Sequence, residues 1–378
     1  KDAAPLNEKF PLLIGMLRPL STSVTNEMMA SNGYVVAMVV NSGGRVPEVY
    51  INNVADLQFV MSYLTRNQMA DPEKIGTYGF SGAGFAQMLL AMHDPRIGAL
   101  ADIESGLYGE NLWVLFSKSN FYNTSQLRVP FLHIYGKELG KRDTNFDEFY
   151  KKKYSHRYHL LLNHPRLHHW DVATEGRAST TVLHLRGQDE EPIRNTFELS
   201  NIYLLHFFNS ALKGSASSRN LLSRKDSFNQ YPDSVWSIQE FAALAPPPDK
   251  FQFTELINRK GIDEALQLAR KFYAVDSAAD FLHQNNLNQL ARQFVTENKS
   301  KEGLALMELA VELHPKEAWL WNNYADMQET AGNKDVAIRS SEKVLELLKD
   351  ANGTDQSFNS RVKRSSAARL ERLKKEKS

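Results

Sequence analysis

The sequence predicts an α/β domain, a mostly parallel sheet with helices on both faces, followed by an all-α region of helical repeats. Short apolar segments alternate with helical segments over residues 1–214. Residues 215–250 are rich in Ser, Asn, Asp and Pro, which is typical of a linker. Small and apolar residues then recur at a fixed spacing within residues 251–350, and the basic residues 351–378 are predicted to form a disordered tail.

The α/β prediction rests on the order of the segments. Short runs of β-branched and apolar residues predict buried strands at Phe10–Met16, Tyr34–Asn41, Lys74–Tyr78, Ile97–Ile103, Val129–Tyr135 and Tyr158–Leu162. Apolar or amphipathic segments predict helices at Thr25–Ser31, Asn52–Asn67, Phe85–Met92 and Thr196–Leu212. Strands that alternate with helices favour a parallel sheet covered on both faces.

The repeat prediction rests on a 34-residue offset, which relates Ala291 to Ala325 and Gly303 to Ala337. Small residues at such points let two helices approach closely, and this period is similar to that of tetratricopeptide repeats. A weaker copy surrounds Ala265. We therefore expect about two and a half repeats, which offer a surface for a protein partner.

Composition excludes several classes of protein. The net charge of +1 gives no global attraction for nucleic acid, so no nucleic-acid partner is expected. The chain has no cysteine, which excludes disulfides and thiolate chemistry, and no apolar run has the length of a transmembrane segment. The absence of Cys and a start at Lys1 rather than Met suggest a periplasmic or secreted protein whose signal peptide is not part of this sequence.

The strongest chemical signal is the segment Gly79–Gly84 (GFSGAG) between a predicted strand and a predicted helix. A nucleophile elbow has this context, because its sharp turn exposes a serine and tolerates only small neighbours. Ser81 is therefore the candidate nucleophile, with Ala83 in place of the usual last glycine. The lysine of a phosphate-binding loop and the third glycine of a dinucleotide fingerprint are both absent, so no cofactor is expected.

A serine needs a base, and the base needs a carboxylate that orients it. His169, which follows the last predicted strand, is the preferred base, and His168 is the alternative. Glu138, just after the strand Val129–Tyr135, is the preferred acid, and Asp143 is its competitor.

An oxyanion hole needs two donors. The backbone N–H of Gly82 is one candidate, and that of Leu17 or Arg18 is the other, since Pro19 has no N–H to give. The loop after the strand Phe10–Met16, which would supply the second donor, lacks the Gly-rich sequence that is usual there.

The histidine cluster between His156 and His169 is a competing signal for zinc. We expect no metal there, because His159 lies within a predicted strand and His164 precedes a proline, whereas a catalytic zinc site needs converging ligands.

Residues Phe10 to about Gly214 resemble the α/β-hydrolase superfamily, in particular dienelactone hydrolases and platelet-activating-factor acetylhydrolase-like esterases. The matching motifs are Ser31–Val36, Lys74–Ser81, His169–Val172 and Phe207–Gly214. The resemblance implies a Ser-His-acid hydrolase acting on a carboxylic ester or a related small acyl compound. It also implies opening strands that would precede Phe10 and are not part of this sequence.

Two other hypotheses stay open at this point. One is a binding or scaffold protein that acts through its repeats and has lost hydrolytic activity. The other is a peptidase on the same fold.

Overall fold

The computed structural model describes residues 8–17, 22–40, 48–105, 122–136, 146–163, 167, 169–174, 191–223, 231, 236–349 and 356–376. The chain divides into two compact units, Lys1–Pro246 and Pro247–Ser378. The first contains a seven-stranded sheet and the second is helical throughout its described residues.

The sheet of the first unit confirms the predicted α/β class. Its strands are β1 (Pro11–Leu17), β2 (Val35–Val40), β3 (Asp71–Phe80), β4 (Ile97–Ile103), β5 (Phe131–Gly136), β6 (Arg157–Leu162) and β7 (Trp236–Phe241). The spatial order is β2-β1-β3-β4-β5-β6-β7, and every pair is parallel except β6 with β7. The carboxyl ends of β3, β4 and β5 therefore lie side by side at one edge, where ligands bind in open α/β sheets.

Helices cover both faces of this sheet, as the sequence predicts. They are α1 (Ser23–Ser31), α2 (Glu48–Arg66), α3 (Ala83–His93), α4 (Asp147–Lys151), α5 (Glu191–Lys213) and α6 (Ala216–Ser223). Helices α1, α5 and α6 pack on one face, and α2, α3 and α4 pack on the other. Helix α3 is buried from Gly84 to Met92 and apolar there except for Gln87, so the helix that follows Ser81 is fixed within the core.

The segment predicted as the linker 215–250 belongs largely to the first unit. It contains α6 and β7, and Trp236 at the start of β7 is fully buried. Residues Leu160 and Leu162 of β6 pair with Ile238 and Trp236 of this antiparallel edge strand. The linker prediction is corrected here, because sheet pairing and one large aromatic side chain outweigh a polar local composition.

The second unit consists of helical pairs. Its helices are α7 (Lys250–Lys260), α8 (Ile262–Val275), α9 (Gln284–Thr296), α10 (Ser300–Leu313), α11 (Ala318–Thr330), α12 (Lys334–Leu347) and α13 (Gln356–Lys375). A Cβ on Gly303 would lie 2.7 Å from the Ala291 carbonyl oxygen, so α9 and α10 are in backbone contact at the position where small residues were predicted. Ala325 and Ala337, one period later, are fully buried.

The predicted disordered tail differs from the structure over α13. The Arg369 guanidinium of this helix is nearly buried and pairs with Asp326 and Glu329 of α11. Ser366 donates a hydrogen bond to Asn322 of the same helix. Basic residues of α13 therefore form ion pairs with acidic residues of α11. Among the described helices, none is both long and apolar enough to cross a membrane.

Candidate active site

The turn between β3 and α3 presents Ser81 in a strained conformation. Ser81 has a φ of 57°, a value that non-glycine residues rarely adopt. The turn is held by two backbone hydrogen bonds, from the Ser81 N–H to the Ile103 carbonyl (2.9 Å) and from the Gly84 N–H to the Ser81 carbonyl (2.9 Å). Strain of this kind persists where the surroundings enforce it, and it clusters at functional sites.

The small residues around Ser81 are required by close contacts. A Cβ on Gly79 would lie 2.7 Å from the Gly84 nitrogen, and a Cβ on Gly84 would lie 2.5 Å from the Asp102 Oδ1 atom. Neither backbone atoms nor a buried carboxylate can move away cheaply. These contacts give a structural reason for the small residues of the predicted elbow.

The structure brings His169 to Ser81. The His169 Nε2 atom lies 2.8 Å from the Ser81 Oγ atom, across 88 residues of sequence. The imidazole stacks on the ring of Phe80, with 4.7 Å between ring centroids and 22° between planes, and Trp170 lies edge-on against it. Phe80, the residue before Ser81, thus holds the His169 ring in the position that faces the Ser81 hydroxyl.

The carboxylate beside His169 belongs to Glu104. Its Oε2 atom lies 3.5 Å from the His169 Nδ1 atom, and its Oε1 atom accepts a hydrogen bond from the Gly136 N–H. Glu104 is the first residue after β4, has a φ of 52° and is 1% exposed. The side chain is therefore held by β5 on one side and directed at the imidazole on the other.

Glu104 is not among the acids predicted from the sequence. Glu138 and Asp143, the two predicted acids, lie outside the described residues, as does the alternative base His168. Glu104 follows the end of a correctly predicted strand, which is the same signal that selected Glu138. What the sequence lacked was the strand order: β4 lies next to β3, so its carboxyl end is one strand closer to Ser81 than that of β5.

Burial and hydrogen bonding act in opposite directions on Glu104. Burial raises the pKa of its carboxyl above the usual value, while the contacts with His169 and the Gly136 N–H oppose the rise. A buried carboxylate without a partner is costly, and the contacts of Glu104 with His169 and the Gly136 N–H offset part of that cost.

A second buried polar cluster lies below the elbow. Asp102 of β4 accepts a hydrogen bond from the Ser105 hydroxyl (2.7 Å), and its Oδ2 atom lies 3.2 Å from the His133 Nδ1 atom of β5. His159 of β6 continues this row, with its ring centroid 5.1 Å from that of His133. Lys152, fully buried, donates to the Tyr122 hydroxyl (2.8 Å) nearby.

The pKa values of Asp102, His133 and His159 are shifted by burial. Burial raises the pKa of Asp102 to about 7, against the opposing effects of Ser105 and Lys152. Burial also lowers the pKa of His133 well below its ordinary value and that of His159 to about 4. The contact between Asp102 and His133 is therefore a hydrogen bond to a neutral imidazole rather than an ion pair.

The predicted oxyanion donors are only partly described. Gly82 caps the N-terminus of α3, so its N–H is one of the donors left without a partner within the helix. Leu17 is the last residue of β1, and Arg18 lies outside the described residues.

The three described histidines of the cluster, His156, His159 and His169, do not converge on a common point. His156 contacts Glu240 (2.9 Å), His159 lies among buried rings and His169 faces Ser81, whereas His164 and His168 are not described. Within the described ranges, no three His, Asp or Glu side chains are grouped so as to hold a metal ion.

Comparisons with known proteins add little to this geometry. No protein-family profile and no curated protein sequence matches the chain. Among solved structures, the chain is similar to a ferulic acid esterase from Streptomyces cinnamoneus, with a TM-score of 0.44 and 20% identity over 64% of this chain and 76% of that one. A likeness at this level does not indicate an activity.

Proposed function

We propose that the first unit is a serine hydrolase that cleaves a carboxylic ester or a related acyl compound. The observation that carries the proposal is the row of three side chains, Ser81, His169 and Glu104, joined by contacts of 2.8 and 3.5 Å. A hydroxyl on a strained elbow, an imidazole and a buried carboxylate in this order constitute the catalytic arrangement of serine hydrolases.

The first half of the reaction forms an acyl-enzyme. Glu104 accepts a hydrogen bond from the Nδ1–H group of His169, which fixes the tautomer whose Nε2 lone pair is directed at the Ser81 hydroxyl. His169 removes the serine proton as the Oγ atom attacks the substrate carbonyl carbon. The resulting imidazolium returns that proton to the leaving alcohol oxygen as the ester C–O bond breaks.

The second half regenerates the enzyme. A water molecule gives a proton to His169 and attacks the acyl carbon, and the proton then returns to the Ser81 oxygen as the carboxylic acid leaves. In both halves the Gly82 N–H, at the positive end of the α3 dipole, supports the negative charge on the carbonyl oxygen.

The test is covalent labelling of the full chain with a fluorophosphonate probe. We expect label on Ser81, identified by peptide mass spectrometry, and none in the Ser81→Ala variant. Ser31→Ala, an exposed serine on α1, is the matched control and should label like the wild type. A folded wild-type chain that stays unlabelled would refute the proposal and favour the scaffold hypothesis.

Substrate assays separate the ester and peptidase alternatives. We expect the wild type to hydrolyse p-nitrophenyl acetate or butyrate, with loss of at least about 10⁴-fold in kcat in Ser81→Ala. Turnover of aminoacyl p-nitroanilides in preference to these esters would instead assign a peptidase.

A further inference from the structure

The phenol of Tyr50 lies against the elbow. A Cβ on Gly82 would be 2.5 Å from the Tyr50 Oη atom, 3.5 Å from Cζ and 3.8 Å from Cε1. Since a carbon–carbon bond adds about 1.5 Å, the hydroxyl lies within about 4 Å of the Gly82 Cα atom. The phenol thus points its polar end at the residue whose N–H is the first candidate oxyanion donor.

Helix packing fixes the position of this ring. Tyr50 is half-buried in the first turn of α2, and its ring packs at 5.8 Å between centroids on Phe85 of α3, which is buried. Leu57 and Met61 anchor α2 in the same core. A tyrosine has only two side-chain torsions, so a ring packed in this way holds its hydroxyl in place at low entropic cost.

On the β1 side of the elbow, the backbone N–H of Met16 has a partner. The amide of Gln87, in the orientation that satisfies both of its ends, accepts the Met16 N–H at 2.7 Å and donates to the Ala83 carbonyl. Met16 is therefore already engaged, and the sequence after β1 reaches Pro19 without a glycine. A tetrahedral intermediate nevertheless gains most from two donors.

We propose that the Tyr50 hydroxyl is an oxyanion donor, which acts together with the Gly82 N–H. This inference rests on the proposed serine-hydrolase function and deepens it. It also assigns a role to the glycine at position 82: the backbone there has an ordinary φ of −55°, so conformation does not require glycine, but any Cβ would displace the hydroxyl.

The first experiment compares Tyr50→Phe with the wild type in hydrolysis of p-nitrophenyl acetate. We expect kcat to fall about 10²-fold, with KM changed by less than about threefold, because the donor acts on charge that develops only in the transition state. Tyr63→Phe is the matched control, since Tyr63 is an exposed tyrosine of the same helix, and it should keep wild-type kinetics. A Tyr50→Phe variant with more than a third of the wild-type kcat would overturn the inference.

A double-mutant cycle with Gly82→Ala distinguishes this role from simple packing. Gly82→Ala keeps its N–H but pushes the hydroxyl away, so it should lower kcat strongly in the wild-type background. In the Y50F background the nearest ring atom is 3.5 Å from the new Cβ, so the same change should cost less than about threefold. Additive losses would overturn the inference.

The two proposals fail in different ways. Absence of Ser81-dependent hydrolysis in the wild type defeats the serine-hydrolase function and the Tyr50 role with it. Normal Ser81-dependent hydrolysis that survives Tyr50→Phe defeats only the role of Tyr50.

Discussion

The two units of the chain bury different kinds of side chain. In the first unit, Asp102, Glu104 and Lys152 lie in the interior, each at 1% exposure or less. In the second, the charged pairs are mostly exposed, as in the bidentate contact of Arg270 with Glu312. A buried ionisable group lowers stability unless it is compensated, so the presence of Asp102 and Glu104 at the carboxyl end of β4 indicates a region where structure serves chemistry.

Positive φ values at non-glycine residues occur in both units but accompany different features. Ser81 and Glu104 both have positive φ and both belong to the proposed catalytic row. In the helical unit the positive φ of Asn298 (63°) lies in the connection between α9 and α10, which approach closely through Gly303 beside Ala291. The first unit therefore holds reactive groups in place, whereas the second is organised by helix packing.

The largest expected effect comes from the buried acid. We expect Glu104→Gln to lower kcat by about 10²- to 10⁴-fold, because a neutral amide no longer stabilises the imidazolium of His169. Glu240→Gln, at a half-exposed glutamate of β7, is the control for general effects of removing a carboxylate. Ester hydrolysis at pH 8 is the measurement, and wild-type activity in Glu104→Gln would reassign the acid to the predicted Glu138 or Asp143.

The next effect tests the packing of the helical unit. Gly→Ala within a helix ordinarily stabilises by about 1 kcal/mol. At Gly303 we expect the opposite sign, a loss of about 2–3 kcal/mol, because the new methyl group meets the Ala291 carbonyl at 2.7 Å. Hydrogen exchange of the amides in α9 and α10 measures the loss, and ester hydrolysis should be unchanged.

The control for this packing test is Lys301→Ala, at an exposed position of the same helix. It should leave hydrogen exchange almost unaltered. Equal exchange in the Gly303→Ala and Lys301→Ala variants would contradict tight packing of the pair.

A smaller expected effect concerns how stability depends on pH through the buried histidine His159, which lies beside His133. Burial lowers the pKa of His159 to about 4 in the folded protein, whereas a histidine in the unfolded chain has a pKa near 6.5. Between these two pH values the unfolded chain is protonated at His159 and the folded protein is not. Stability is therefore lost as the pH falls from 6.5 towards 4, by about 2 kcal/mol at pH 5 from this group. Asp102, with a raised pKa, acts in the opposite direction over the same range.

We expect His159→Phe to reduce the loss of stability between pH 8 and pH 5 in urea unfolding. Phenylalanine suits the site because Phe146 and Phe149 each lie 5.0 Å from the imidazole centroid. His93→Asn, at an exposed position on α3, should keep the wild-type pH dependence. An unchanged slope in His159→Phe would show that this histidine does not titrate as its burial implies.

The smallest effect belongs to the exposed ion pair of the second unit. We expect a double-mutant cycle of Arg270→Ala and Glu312→Ala to give a coupling of about 0.5 kcal/mol, which decreases in 1 M salt. Urea unfolding provides the measurement. A coupling of several kcal/mol would mean that the two units do not differ in the way proposed.

Much of the first unit could be predicted from local pattern. The predicted strand Ile97–Ile103 has the observed bounds, and the small residues of the elbow follow from the geometry of a tight turn. The sequence also predicts Ser81 and His169 at the same edge of the sheet, and their side chains lie 2.8 Å apart in the structure, because the segments after β3 and β6 both leave from that edge. Periodicity and turn chemistry are short-range properties, and a sequence displays them directly.

Other features depend on residues that are distant in sequence. Glu104 faces His169 because β4 lies between β3 and β5, and Trp236–Phe241 becomes a strand because β6 offers it an edge. Helix α13 is held by partners on α11, with Arg369 and Asp326 separated by 43 residues. The sequence by itself determined strands β1 to β6, helices α1, α2, α3 and α5, and the elbow. Only the tertiary structure decided which carboxylate meets the imidazole, because that choice depends on strand order and side-chain direction, which no local pattern encodes.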